Sequence, residues 1–272
     1  MQSKQSKISL VVSDVDGTLI DSSKELTEQT KAAVQKLRAA GILFTVTSAR
    51  PPFGLKAIAE TLDLQYPFGS FNGGLISSPN GKAIERMALD PQMIPQIVAE
   101  AKNYSLDAWL YSASHWYVQK RHGFHVDHHQ ETLQFAPTAI ADYDNIEEDI
   151  FKIIAIGSDY DAVFHCEEAI KRQFSDSLAA TRSQPYNLDI THPQANKGEA
   201  VKQIARYLNI PTSEVATIGD SFNDISMFLN SGVSIAMGNA DAEVQKKATH
   251  ITASNEENGF AKAIDRFILE SA

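Results

Sequence analysis

Apolar residues along this chain alternate between short solid runs and helical stripes, and the rhythm changes twice. Ile8 to Ser13 is a solid run that predicts a buried strand, ending in the polar cluster Asp14-Val15-Asp16-Gly17-Thr18. Thr27 reads as an N-cap with Glu28 in the first turn; Ala33, Val34, Leu37 and Ala40 form one stripe, and Gly41 stops it. Ile42 to Thr47 predicts a second buried strand, and Pro51-Pro52 precedes a helix through Leu55, Ile58, Ala59 and Leu62. Phe68 to Phe71 predicts a third strand running into Asn72-Gly73-Gly74. Strands and helices joined this way imply right-handed crossovers and a parallel sheet.

From about Glu85 to Asp189 the strands turn amphipathic and aromatic residues gather. Pro79-Asn80-Gly81 is a hairpin turn between Leu75–Ser78 and Lys82–Ile84. Ala108 to Tyr111 and Trp116 to Gln119 can pair across Ser112-Ala113-Ser114-His115, and Phe151 to Ile156 is a further strand before a helix around Phe164 to Phe174. The α/β rhythm then returns: a helix Gly198–Leu208, a strand Val215–Ile218, a helix lined by Ile225, Phe228 and Leu229, a strand Val233–Met237, His250–Thr252, and a last helix Phe260–Leu269. The expected fold class is α/β: a Rossmann-like parallel-sheet core over residues 1–84 and 190–272, interrupted by an α+β insertion over 85–189.

The 272 residues carry 24 Lys+Arg against 34 Asp+Glu, a formal net charge of −10. That balance repels phosphodiester backbones, so neither general nucleic-acid binding nor an anionic membrane is expected as a partner. It leaves room for a small phosphorylated ligand, which needs only a few well-placed donors. The single cysteine, Cys166, cannot form an internal disulfide and reads as a structural core residue; with the polar start Met1–Lys7 and no run of 18 apolar residues, this predicts a cytoplasmic chain. Oligomeric state is left open.

Ligands of parallel α/β sheets sit at the carboxyl ends of strands. Four polar clusters fall at such ends or at helix starts: Asp14 to Thr18, Thr47-Ser48-Ala49-Arg50, Asn196-Lys197-Gly198, and Gly219-Asp220-Ser221-Phe222-Asn223-Asp224. Three carboxylates at one sheet edge repel each other unless a cation neutralises them, and oxygen-only ligands point to Mg²⁺. A lysine and a serine hydroxyl beside that metal complete a site for a phosphoryl dianion.

Asp14-Val15-Asp16-Gly17-Thr18-Leu19 resembles the first motif, D-x-D-G-T-L, of the haloacid dehalogenase-like (HAD) superfamily. Asn72-Gly73-Gly74, the insertion, Lys197-Gly198, the Gly219–Asp224 cluster and the trailing Glu257-Asn258-Gly259-Phe260-Ala261 are together similar to its Cof-type phosphatase subfamily, with a large C2-type (IIB) cap. The resemblance covers the whole chain and implies a Mg²⁺-dependent phosphomonoester hydrolase acting on a sugar phosphate or a similar small metabolite. By that resemblance Asp14 is the nucleophile and Asp16 the general acid/base. The Asp14 side chain, the Asp16 carbonyl and Asp220 hold Mg²⁺, with Asp224 or Asn223 in or next to the coordination sphere. Ser48, Lys197 and Asn223, with the amides of Val15 and Ala49, bind the phosphoryl oxygens. Ser48-Ala49-Arg50 departs from the usual T-G-R, and Ala for Gly is harmless only at negative φ.

Rival readings are a phosphomutase or phosphotransferase sharing the aspartyl-phosphate, and a phospho-acceptor signalling domain. Asp16 and the insertion of about 105 residues argue against the second. The stretch from His122 to His129 reads as a solvated loop, and Trp109, Tyr111, Trp116 and Tyr117 read as sheet packing.

Overall fold

The computed structural model describes residues 7–270; the polar segment Met1–Ser6 lies outside the described residues. In chain order the elements are β1 (Leu10–Ser13), α1 (Glu28–Ala39), β2 (Leu43–Val46), α2 (Pro52–Thr61), β3 (Phe68–Ser70), β4 (Leu75–Ser77) and β5 (Ala83–Arg86). There follow α3 (Ile94–Asn103), β6 (Asp107–Tyr111), β7 (Trp116–Val118), α4 (Val126–Leu133), β8 (Thr138–Ala139), β9 (Lys152–Ile156), α5 (Tyr160–Phe174), β10 (Ala179–Gln184) and β11 (Asn187–Thr191). The chain closes with α6 (Lys197–Tyr207), β12 (Val215–Gly219), α7 (Ile225–Phe228), β13 (Val233–Ala236), α8 (Ala242–Gln245), β14 (His250–Ile251) and α9 (Gly259–Ala263), which runs on as a wide π-turn over Ile264–Leu269.

Two compact units result. The first comprises the chain up to Ala49, Ala57–Glu85 and everything from Asn196 onward; the second comprises Arg50–Lys56 and Arg86–Ala195.

The first unit is built on a five-stranded sheet in the order β14-β13-β12-β1-β2, parallel throughout. Leu10 and Val12 of β1 pack with Val201, Ile204 and Ala205 of α6 and with Met227 and Phe228 of α7. Full burial of such side chains contributes about 1.5–3 kcal/mol each. The Thr27 hydroxyl accepts from the Thr30 amide at 3.1 Å and starts α1, while Gly41 at φ +73° follows its end. β3 does not become a full strand of this sheet. It makes one parallel bridge, Thr47 to Gly69, and pairs antiparallel with β4, because Phe71 and Asn72 at φ 53° and 56° turn the chain back at once. Leu229 is exposed, so α7 presents a shorter apolar face than its sequence suggests.

The second unit has a six-stranded sheet in the order β10-β11-β9-β6-β7-β8, antiparallel except for the β7–β8 pair. Its period-two pattern is clean. Ala108, Leu110, Ile153, Ala155, Leu188 and Ile190 face α3 and α5, where Cys166 is buried and its thiol is pushed up to about 12, first by burial and then by Glu100. Trp109 and Tyr111 alternate with those residues and so line the other face, where their rings meet His129 of α4. The histidine stretch is therefore not a simple solvated loop. Val126–Leu133 is helical, and its two buried positions, Val126 and Leu133, are too few to show in the sequence pattern. Among the described residues no helix is long and apolar enough to cross a membrane.

Candidate active site

Parallel register decides what gathers at the sheet's carboxyl edge. Ser13 of β1 lies beside Ile218 of β12 and Val46 of β2, so the residues that follow each strand emerge side by side. The Asp14 amide donates to the Ile218 carbonyl at 2.9 Å and the Thr47 amide to the Ser13 carbonyl at 2.9 Å, carrying the register one step past the strands. Asp14, Ser48 and Asp220 thus open from adjacent strand ends.

α6 supplies the cation. Asn196 caps the helix by accepting from the Glu199 amide at 2.9 Å, which sets Lys197 in its first turn. Gly198 lets the helix come close, since a Cβ there meets the Ser226 carbonyl at 2.4 Å; its amide instead donates to the Ser226 hydroxyl at 3.0 Å. Lys197 is 1% exposed, and its Nζ donates to Asp14 Oδ1 at 2.6 Å and to Asp224 Oδ1 at 2.5 Å. The other oxygen of Asp224 accepts from the amides of Asp220 and Ser221, both at 2.8 Å, so this buried carboxylate shapes the loop after β12 as well as holding the lysine. Asp220 accepts from the hydroxyls of Thr18 and Ser221, each at 3.2 Å.

Asp14, Asp220 and Asp224 each offer an oxygen within 4.8 Å of the others. Three carboxylates against one ammonium leave a formal charge of −2 in a buried space. Burial raises the pKa of Asp14 well above the usual carboxylate range; Lys197 opposes the rise, and Asp224 and Asp220 add to it. Asp220 is raised chiefly by burial and then by Asp224. Burial opposes the charge on Lys197, but Asp14 and Asp224 outweigh it and hold the ammonium protonated. The cluster therefore has more negative charge than its own lysine can balance. An all-oxygen donor set with unmatched charge suits a hard divalent cation such as Mg²⁺.

The remaining expected residues fall as follows. The Ser48 side chain is buried at the end of β2; its amide donates to the Gly69 carbonyl at 3.0 Å and its carbonyl accepts from the Asn72 amide at 2.8 Å. Ala49 is not among the residues with positive φ, so alanine in place of the usual glycine costs no backbone strain. Val15 is fully buried, and its carbonyl accepts from the amides of Thr18, Leu19 and Ile20 in the turn after β1. Gly17 completes that turn at φ +79°, where a Cβ meets Asp220 Oδ2 at 2.4 Å. The Asp16 side chain lies outside the carboxylate cluster and pairs with Lys24 Nζ at 3.1 Å. Asn223 is exposed, and its Nδ2 donates to Asn72 Oδ1 at 3.1 Å. Arg50 belongs to the second unit and donates to the Gly54 carbonyl.

Two residues join this edge to which sequence reasoning gave no site role, although Asn72 belongs to the Asn72-Gly73-Gly74 motif. Asn239, just past β13, donates to the Gly17 carbonyl at 3.0 Å and to Asp220 Oδ2 at 3.5 Å. Asn72 reaches Asn223 across the loop after β3. Both follow strands and neighbour a glycine, so the rule that finds Asp14 could have found them.

Known proteins resemble this chain over nearly its whole length. A family model for haloacid dehalogenase-like hydrolases matches residues 11–264. The 5-amino-6-(5-phospho-D-ribitylamino)uracil phosphatase YwtE of Bacillus subtilis is 29% identical, with 94% of this chain and 96% of that protein aligned. Among solved structures, a haloacid dehalogenase-like hydrolase from Bacteroides thetaiotaomicron superposes with a TM-score of 0.90 at 26% identity, covering 96% of this chain and 99% of the other. The HAD subclass IIB sugar phosphatase BT4131 shares the fold, with a TM-score of 0.81 at 19% identity over 96% of this chain and 99% of that one.

Proposed function

The chain belongs to the haloacid dehalogenase-like hydrolase family and is a phosphatase, and we propose that it hydrolyses small phosphomonoesters with Mg²⁺ through an aspartyl-phosphate on Asp14. The observation that carries this reading is the single buried lysine shared by Asp14 and Asp224, with Asp220 beside them and a charge deficit left over. Asp14 and Asp220, with the Asp16 carbonyl, are the residues that would hold Mg²⁺. When bound, the ion neutralises charge between a carboxylate nucleophile and a phosphate dianion.

The chain's own groups do the rest. Lys197 fixes one Asp14 oxygen and counters charge on the phosphoryl group. The Asp14 carboxylate attacks phosphorus, the ester P–O bond breaks, and the electron pair leaves on the alkoxide. Asp16, in its acid form, gives its proton to that oxygen. As a carboxylate, Asp16 then takes a proton from the water that attacks the acyl-phosphate phosphorus, releasing orthophosphate and restoring Asp14. General acid–base help of this kind contributes about 10²–10⁴-fold. Ser48, Asn223 and the amides of Val15 and Ala49 hold the phosphoryl oxygens.

A sugar or polyol phosphate is the substrate class we favour. The relative YwtE is named for a substrate whose phosphate sits on a ribityl chain, which supports an extended hydroxylated leaving group. Residues 85–189 are proposed as the part that selects it. Phosphate release from a panel of phosphorylated metabolites, in Mg²⁺ and again in EDTA, tests the reading. Asp14→Asn is expected to abolish release, and full activity in that variant overturns the mechanism. Isomerised product without free phosphate assigns a mutase instead.

A further inference from the structure

Phe71, Asn72 and Gly73 are three successive residues in the left-handed region, at φ 53°, 56° and 92°. Asparagine and glycine tolerate that region; a buried phenylalanine does so only when its surroundings hold it there. The strain sits where the chain meets the Ser48 segment, Asn223 and the start of α6. The Asn72 amide donates to the Ser48 carbonyl at 2.8 Å. Asn72 Oδ1 accepts from Asn223 Nδ2 at 3.1 Å. Gly73 lies so close to the start of α6 that a Cβ meets the Asn196 carbonyl at 2.8 Å and Ala200 Cβ at 2.9 Å.

We infer that Asn72 is a positioning residue for phosphate binding, aiming the Asn223 side-chain amide and fixing Ser48 through its backbone. The inference rests on the phosphatase reading above. An amide nitrogen carries two hydrogens, so the one engaged by Asn72 orients the group and leaves the second for a phosphoryl oxygen. Asn223 is otherwise an exposed side chain with several open rotamers, and a pre-set donor loses less entropy when phosphate arrives. Ser48 has its amide on Gly69 and its carbonyl on Asn72, so the backbone that carries its hydroxyl is held at both polar groups. Asn72 touches no reacting atom in this scheme; it acts through Asn223 and Ser48.

A double-mutant cycle reads this directly. Orthophosphate affinity is measured by calorimetry in Mg²⁺, with kcat and KM for a chromogenic phosphomonoester, on the wild type, Asn72→Gly, Asn223→Ala and the double variant. Glycine keeps the left-handed backbone at no steric cost and removes the side chain whose Oδ1 accepts from Asn223. Asn72→Gly is expected to weaken phosphate binding about threefold to tenfold, the worth of one net hydrogen bond. The loss should fall on KM more than kcat, with little change in Tm. In the Asn223→Ala background the same change should cost less than twofold. Unchanged affinity in Asn72→Gly, or full additivity in the double variant, overturns the inference. Should Asn72→Gly fail to fold, Asn72→Ser, whose hydroxyl is too short to reach Asn223, carries the same expectation in both backgrounds. Calorimetry needs no turnover, so a wild type that binds orthophosphate but hydrolyses no ester refutes the hydrolase reading while the cycle still judges Asn72. A wild type that binds no orthophosphate overturns both.

Discussion

Lys197 in the first unit is buried and His129 in the second is half-buried, and these two nitrogen bases rest in opposite charge states. Burial disfavours the cation in each case. At Lys197 it is outweighed by Asp14 and Asp224, hydrogen-bonded at 2.6 and 2.5 Å, and the ammonium stays protonated. His129 sits among the rings of Trp109, Tyr111 and Trp116, with centroids 5.0 to 6.1 Å away. There burial and then Lys152 lower its pKa to about 3; Asp189 pulls the other way, but its Oδ1 is already 3.4 Å from Lys152, and His128 and His125 add to the lowering. Desolvation is common to both sites, and the carboxylate within reach is what differs. The first unit keeps charge at the carboxyl edge of its sheet, where the proposed reaction needs it. The second packs a neutral ring.

The sharpest way to break this contrast is Lys197→Met. It removes the only ammonium hydrogen-bonded to Asp14 and Asp224 among the described residues, so we expect hydrolysis to fall more than about 10³-fold. In EDTA at neutral pH, urea unfolding should lose about 3–5 kcal/mol, as for a broken buried ion pair. A loss of activity below tenfold would refute the role given to this lysine.

Gly17→Ala disturbs the same edge without touching a charge. A Cβ at 2.4 Å from Asp220 Oδ2, on a backbone at φ +79°, must push that carboxylate aside. The concentration of Mg²⁺ needed for half-maximal activity should rise about 10–100-fold. An unaltered Mg²⁺ requirement removes Asp220 from the coordination sphere.

The second unit is probed by acid. His129 binds its proton in the unfolded chain near pH 6.5 but in the folded chain only near pH 3, so the unfolded state holds more protons between those values. Stability supplied by the neutral ring is complete above pH 6.5 and is lost as pH falls toward 3, with a limiting slope of about 1.4 kcal/mol per pH unit. Trp109 and Trp116 are the chain's two tryptophans and both flank His129, so their fluorescence follows this cluster. His129→Phe should flatten the urea midpoint of that signal between pH 7 and pH 5. An equally steep pH dependence in the variant would show that the ring does not carry the effect.

The smallest effect is expected at Lys24, whose bond to Asp16 joins two partly exposed side chains. Lys24→Ala should change unfolding free energy by less than about 1 kcal/mol, and less again at high salt. A larger loss means that the pair holds the turn after β1 more firmly than surface pairs do.

Much of the first unit is legible from local pattern. Solid apolar runs give β1, β2 and β12, and Thr27 and Gly41 bracket α1, because cap chemistry and burial periodicity are properties of neighbouring residues. The second unit is less so. The β10–β11 hairpin is unmarked: β10 is mostly exposed and its turn, Pro185-Tyr186, has no glycine. α4 hides because two apolar positions seven apart do not make a stripe. The polar clusters at strand ends could be found in the sequence, but their pairings could not.

By itself, then, the sequence determined where strands end, where helices begin and which polar groups gather at those ends. Only the tertiary structure decided that Lys197 reaches Asp14, 183 residues away, rather than solvent, and that Asn72 meets Asn223 and Asn239 meets Asp220. It also decided that His129 of a polar stretch sits half-buried and neutral among aromatic rings while His122 and His128 stay at the surface. The physical reason is range. Periodicity and capping are settled within a few residues, whereas a buried charge takes its state from whatever the strand register sets beside it.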